Sequence, residues 1–216
     1  TYTNPGNYSV TLLISNSNGC SKSLTKQNFI NLINKPNSVI NASNTSACTA
    51  PFTTILSANS NQTGVTYLWN FGDGSAETST TSPTKSYFAT GTYVVRLTVT
   101  ASNSCVSSIT KEVVVNGAPT GQISGTTSIC SGSSATLSVA LTGQGPWLLN
   151  YTDASSPVSV SSSPYTLSVT PTTTSTFLIT SLSDTKCAAA AVDMTGSAVV
   201  TVNSNATPAV TISSND

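Results

Sequence analysis

The 216-residue chain has no histidine, and its seven basic and seven acidic residues offset one another to a formal net charge of zero. Without imidazole, a His-based catalytic triad and a histidine metal site are both excluded. No basic stripe stands ready to neutralise phosphates, which argues against nucleic acid as a partner. Carboxylates are too few and scattered for the paired acids of glycoside hydrolysis, and no G-x-x-x-x-G-K-[ST] phosphate loop occurs. The longest apolar run falls far short of the ~20 residues that span a bilayer, so no membrane insertion is expected. The first residues lack a signal-peptide pattern, as expected if Thr1 is internal to a longer chain. The reading is of a chain that is not an enzyme and carries no cofactor.

Ser, Thr and Asn supply most of the polarity, interleaved with Val, Ile, Leu and Tyr. Such interleaving fits half-buried pleated strands better than helices. Period-two alternation marks 8–14, 29–33, 52–56, 65–71, 93–99, 109–115, 135–139, 177–181 and 198–202. Turn clusters such as Asn16 to Gly19, Asn59 to Gly64, Gly72-Asp73-Gly74, Ser102 to Ser104 and Thr142 to Gly145 separate them. The alanine run from Cys187 to Val192 could form one helical turn, but its flanking turn residues favour a loop or a strand start. The fold class is therefore all-β, built of tandem immunoglobulin-like β-sandwiches of roughly seven strands each.

Tyr2, Gly6, Tyr8, Leu12, Asn18 and Cys20 recur as Tyr87, Gly91, Tyr93, Leu97, Asn103 and Cys105, all at an offset of 85. Such self-similarity is the signature of a tandem array, and the chain begins within a repeat. Proline-opened boundaries at Pro36, Pro119 and Pro208 divide it. Residues 1–34 are read as the closing strands of one module, 35–117 as a complete second and 118–203 as a complete third. Residues 204–216 are read as the first strand of a following module. Links of a few residues imply modules arranged end to end.

The stretch Trp69-Asn70-Phe71-Gly72-Asp73-Gly74-Ser75, then Tyr87, then Gly91, Tyr93, Val95 and Leu97, resembles the signature of the PKD domain, an immunoglobulin-like sandwich. Asn70 and Lys85 stand where that pattern usually has Asp and His. Both departures are read as exposed turn-side positions. Residues 1–34 resemble the last third of the same module. In the third module, Ile129-Cys130-Ser131-Gly132, Tyr165 to Pro171, and Thr176 to Thr180 leading to Cys187 resemble an Ig-like repeat of very large Bacteroidetes surface proteins. Together the resemblance implies cell-surface adhesins of the gliding-motility, type IX secretion kind. It places the chain outside the cell, at a bacterial surface.

Asp73, Glu77 and Asn70 are weak candidates for calcium, which needs six or more oxygens. The competing account gives Asp73 to the backbone N–H groups of its own turn. Trp69, alternating with Tyr67 and Phe71, reads as core, and Tyr8 and Tyr93 as tyrosine corners. Trp147 reads as core, with a sugar-stacking platform as the alternative.

Five cysteines at repeating positions indicate disulfides in an oxidising compartment. Cys48–Cys105 and Cys130–Cys187 are both separated by 57 positions, which invites pairing inside each module. In a Greek-key sandwich, however, those cysteines fall at opposite poles, roughly 25–30 Å apart. That geometry favours Cys48–Cys187 between modules, leaving Cys20, Cys105 and Cys130 for cysteines elsewhere, or unpaired. A long loop ahead of the second strand would restore the first pairing.

The function expected is that of a stalk or filament segment holding a distal binding element. Its partners would be neighbouring modules, with lateral self-association or a surface polysaccharide as further contacts. The alternatives are a glycan- or protein-binding module, or the accessory region of a secreted hydrolase.

Overall fold

A computed structural model describes residues 1–204. The expected opening strand at 204–216 lies, from residue 205 onward, outside the described residues. The described chain is built of strands. Its first two, β1 (Gly6–Ser15) and β2 (Ser21–Leu32), form an antiparallel two-stranded sheet. Seven more follow: β3 (Ser38–Ala42), β4 (Ser46–Ala47), β5 (Phe52–Ser60), β6 (Thr66–Asn70), β7 (Thr84–Tyr87), β8 (Gly91–Thr100) and β9 (Val106–Val115). They order as β3-β5-β7 and β4-β9-β8-β6, the two sheets of a sandwich.

Alternation explains why these segments fold as they do. Along β8, Val95, Leu97 and Val99 are buried while Val94, Arg96 and Thr92 are exposed. Ile40, Leu56, Trp69 and Tyr87 are buried as well. Each such large apolar side chain contributes about 1.5–3 kcal/mol on leaving water.

The 85-residue offset holds element by element. Strand β1 maps onto β8 end for end, and β2 starts where β9 does. The connecting turns agree too: Asn16 N–H donates to the Cys20 carbonyl at 3.0 Å, and Ala101 N–H to the Cys105 carbonyl at 2.9 Å. Gly19 and Ser104, at equivalent positions, both take positive φ, 83° and 64°. Tyr8 donates its hydroxyl proton to the Asn4 carbonyl at 2.5 Å, four residues upstream, as a tyrosine corner does.

The next sandwich comprises β10 (Gly121–Ser124), β11 (Thr127–Cys130), β12 (Ala135–Leu141), β13 (Trp147–Tyr151), β14 (Val158–Val160), β15 (Tyr165–Val169), β16 (Ser175–Phe177), β17 (Ile179–Ser183), β18 (Met194–Thr195) and β19 (Ala198–Asn203). These order as β15-β12-β10-β18, β11-β19-β16 and β14-β13-β17. Ile123, Leu137, Val139, Trp147, Leu149 and Phe177 lie in one buried cluster.

One detail departs from the sequence reading. The strand expected over 177–181 breaks at Leu178, so that β16 and β17 join different sheets. Thr152 caps the break: its hydroxyl accepts the Leu178 N–H at 3.1 Å and its own N–H donates to the Leu178 carbonyl at 3.0 Å. The alanine run makes one bridge, Ala188 with Ser183, and then a single 3₁₀ turn over Ala191–Asp193.

By packing, the chain divides into two compact units. The first contains Thr1–Thr45, Thr53–Ser86 and Tyr93–Val113. The second contains Ser46–Phe52, Tyr87–Thr92 and the chain from Val114 onward.

Candidate functional site

Two local constructions carry most of the polar chemistry. One is the Gly-Asp-Gly turn that follows β6. Asn70 accepts the Gly72 N–H on its side-chain oxygen at 3.0 Å, the bond an Asp would make there. Its amide nitrogen donates to Glu77 at 3.1 Å, a bond Asp could not make. Gly72 has φ +75°, and a Cβ on it would lie 2.7 Å from the Val94 carbonyl oxygen. Only glycine fits both the conformation and the approach.

Asp73 Oδ1 accepts the Ser75 N–H at 3.2 Å and the Ser75 hydroxyl at 2.6 Å. Its Oδ2 pairs with Lys85 Nζ at 2.6 Å, and Lys85 also donates to Ser75 Oγ at 2.7 Å. The ammonium stands 5.0 Å from the centroid of the Phe71 ring. Burial lifts the Asp73 carboxyl, but Lys85 and the two Ser75 donors outweigh it and hold it below the ordinary carboxylate value.

This corrects the reading of position 85 as an exposed departure. The Lys85 side chain is only 14% exposed, and it closes the turn. At the calcium candidates, Asp73 contacts Lys85 and Ser75, and Asn70 bonds both Glu77 and the Gly72 N–H. Beyond the turn, Trp69 and Thr78 exchange backbone hydrogen bonds of 2.8 and 3.2 Å, and Trp69 Nε1 donates to the Thr80 carbonyl at 2.9 Å. Trp69 is fully buried, as expected of core. Among the remaining signature residues, Phe71 and Tyr87 are buried, Gly91 opens β8, and Tyr93 is half-buried on it.

The other construction is a disulfide between Cys48 and Cys187, with Cα atoms 5.6 Å apart. Cys48 follows β4, which runs parallel to Val114–Val115 of β9. Asn116 N–H donates to the Ala47 carbonyl at 2.8 Å and fixes that approach. Cys187 is held by Asp184, whose Oδ1 accepts the N–H groups of Lys186 at 2.8 Å and Cys187 at 2.7 Å. Its Oδ2 accepts the Gln144 N–H at 2.9 Å. Burial pushes the Asp184 carboxyl up, and those three N–H groups with the Lys186 charge more than reverse it. Asp184 was missed in the sequence; Asp three positions before Cys, in Asp184-Thr185-Lys186-Cys187, was the available signal.

The alternative pairing, Cys48–Cys105 with Cys130–Cys187, does not form; Cys20, Cys105 and Cys130 are free thiols. The reason lies in β9. Cys48 follows the short strand laid against its last residues, whereas Cys105 immediately precedes its first. Ten residues of strand, at about 3.3 Å each, separate those ends.

Trp147 lies in the core, as read from the sequence, and not on a sugar-stacking surface. It is 9% exposed within the buried cluster, and its Nε1 donates to the Thr142 carbonyl at 2.8 Å. An indole packed in this way offers no open face to a sugar.

Residues 34–117 match the PKD domain family. No curated protein matches the chain. Among solved structures, the PKD1 domain of Vibrio anguillarum Epp is similar at 24% identity, over 39% of this chain and 96% of that one, with a TM-score of 0.33. A structure of carbohydrate-binding modules from the β-sandwich superfamily is similar at 20% identity, over 69% and 56%, with a TM-score of 0.37. Bacteroides ovatus SGBP-B, solved with a mixed-linkage heptasaccharide, is similar at 15% identity, over 93% and 54%, with a TM-score of 0.24. The PKD domain that residues 34–117 match is typically a non-catalytic module. No described helix is long and apolar enough to cross a membrane.

Proposed function

We propose that this chain is a spacer segment of a large, secreted, repetitive adhesin at a bacterial surface, resembling those of gliding motility, where it holds a distal binding element away from the cell. The observation that carries this reading is the repeat: the offset of 85 reproduces strand ends, turn bonds and positive-φ positions alike. A protein that duplicates scaffold and leaves its polar groups bonded to one another is suited to span distance. The Cys48–Cys187 bond supports an oxidising, extracellular setting. The PKD match over residues 34–117 supports the same class.

Small-angle scattering of the isolated chain tests it. The expected particle is elongated, with about 35–45 Å contributed by each complete module. A compact particle overturns the spacer reading. A glycan array should return no binding, and a specific glycan hit would move the function from spacing to recognition.

A further inference from the structure

A sheet edge without a partner invites a further strand, and proteins guard such edges by shortness, by a lysine or by a covering segment. Among the strands that end the sheets of the two sandwiches, β4, β7, β11, β14, β16 and β18 have only two to four residues. Those with five are β3, β6, β15 and β17. Three of these are covered. Lys111 donates to the Ile40 carbonyl of β3 at 3.4 Å. Thr78 exchanges backbone hydrogen bonds with Trp69 of β6, and Ala189 N–H donates to the Leu182 carbonyl of β17 at 2.8 Å.

Strand β15 has none of these guards. It ends the order β15-β12-β10-β18, and among the described residues no backbone group bonds to its outer side. Tyr165-Thr166-Leu167-Ser168-Val169 carries no charge and no proline, while Pro164 precedes it and Pro171 closely follows. Every second residue of an edge strand turns its N–H and C=O away from the sheet, so this side keeps donors and acceptors to offer. Side chains alternate across it: Leu167 and Val169 are buried, Thr166 and Ser168 exposed. The exposed row continues in hydroxyls, with Ser168 opposite Thr136 and Thr166 opposite Ser138.

We propose that β15 pairs antiparallel with β15 of a second copy of this chain, about a two-fold axis at Leu167. That register sets Tyr165 against Val169 and Thr166 against Ser168 of the other copy, so one edge serves both sides. Apolar residues then meet on the core face and hydroxyls on the outer face, whereas a shift of one residue would set apolar against hydroxyl. The two prolines, without N–H groups, end the ladder on either side. Pairing brings no like charges together, since the edge is uncharged and the chain is net neutral. The contact is lateral, and it stands whether or not the chain is a spacer.

The test is sedimentation of the full chain over a concentration series, where the unchanged protein should form a dimer in growing proportion. Thr166→Lys with Ser168→Lys should weaken that dimer at least about tenfold at low salt, because lysine then faces lysine twice across the axis. Thr166→Glu with Ser168→Glu should weaken it likewise, and an equimolar mixture of the two variants should restore a 1:1 pair. Both positions are exposed, so each variant should keep its fold, read as unchanged hydrogen-exchange protection in β12. Protection in β15 should rise with concentration in the unchanged protein and in the mixture, but not in either variant by itself. A monomer at every concentration up to about 1 mM overturns the proposal. So does a dimer indifferent to both pairs of substitutions, which would rest on another surface, or a mixture that fails to pair.

Discussion

Asn70 and Lys85 show how a turn can keep its form while its residues change. Asn70 preserves the bond to Gly72 that Asp would make and adds one to Glu77. Lys85 places its charge between Asp73, Ser75 and the Phe71 ring. Beneath them Gly72 has no substitute. Gly72→Ala should destabilise the protein by about 3 kcal/mol, read from the denaturant midpoint, because it adds backbone strain to a collision with Val94. Asp73 and Asp184 set the acid limit. Both have folded-state values below the ordinary carboxylate value of 3.8, so their stabilisation is complete above about pH 4 and is lost as pH falls through the depressed values. Asp184→Asn should flatten that acid-side loss and lower stability at pH 7, measured by unfolding across pH 2–7. Of this chemistry the sequence displayed Gly72 and Asp73 openly. It hid the burial of Lys85, because a lysine beside a turn reads as solvated until its neighbours are known.

At the level of elements, period-two alternation found most of the long strands, but of β2, the longest, it marked only the end, 29–33. Strand β8 alternates over its length, and so does β12. Two kinds of feature escaped that pattern. The two-residue β4 is too short to show a period, yet its parallel pairing with β9 positions Cys48. The break at Leu178 arises from Thr152, a residue distant in sequence whose hydroxyl replaces a strand partner. The disulfide joins residues 139 positions apart. In a chain-entropy account, closing so long a loop contributes about 4–5 kcal/mol. Cys48→Ser should therefore lower the thermal midpoint markedly by calorimetry, and reductant should do the same to the native protein and nothing further to the variant.

For the whole molecule, the scarcity of charge is the governing property. With seven charges of each sign, electrostatic repulsion between copies is weak and so is its screening. Self-association measured by light scattering should change little between about 20 and 500 mM salt, unlike that of a highly charged protein. A steep salt dependence would show that a few local charges dominate the contact. The repeat was the most legible large-scale feature, because six matched residues at one offset foretold two matched hairpins.

The bond between Cys48 and Cys187 also decides which parts of the chain can yield under tension. A pull applied at the two ends passes through the sulfur bridge and bypasses everything between the cysteines. Those residues, worth about 450–500 Å of stretched polypeptide, stay locked away until the bridge is reduced. In a force-extension trace that length should be missing from the oxidised molecule and should reappear on reduction.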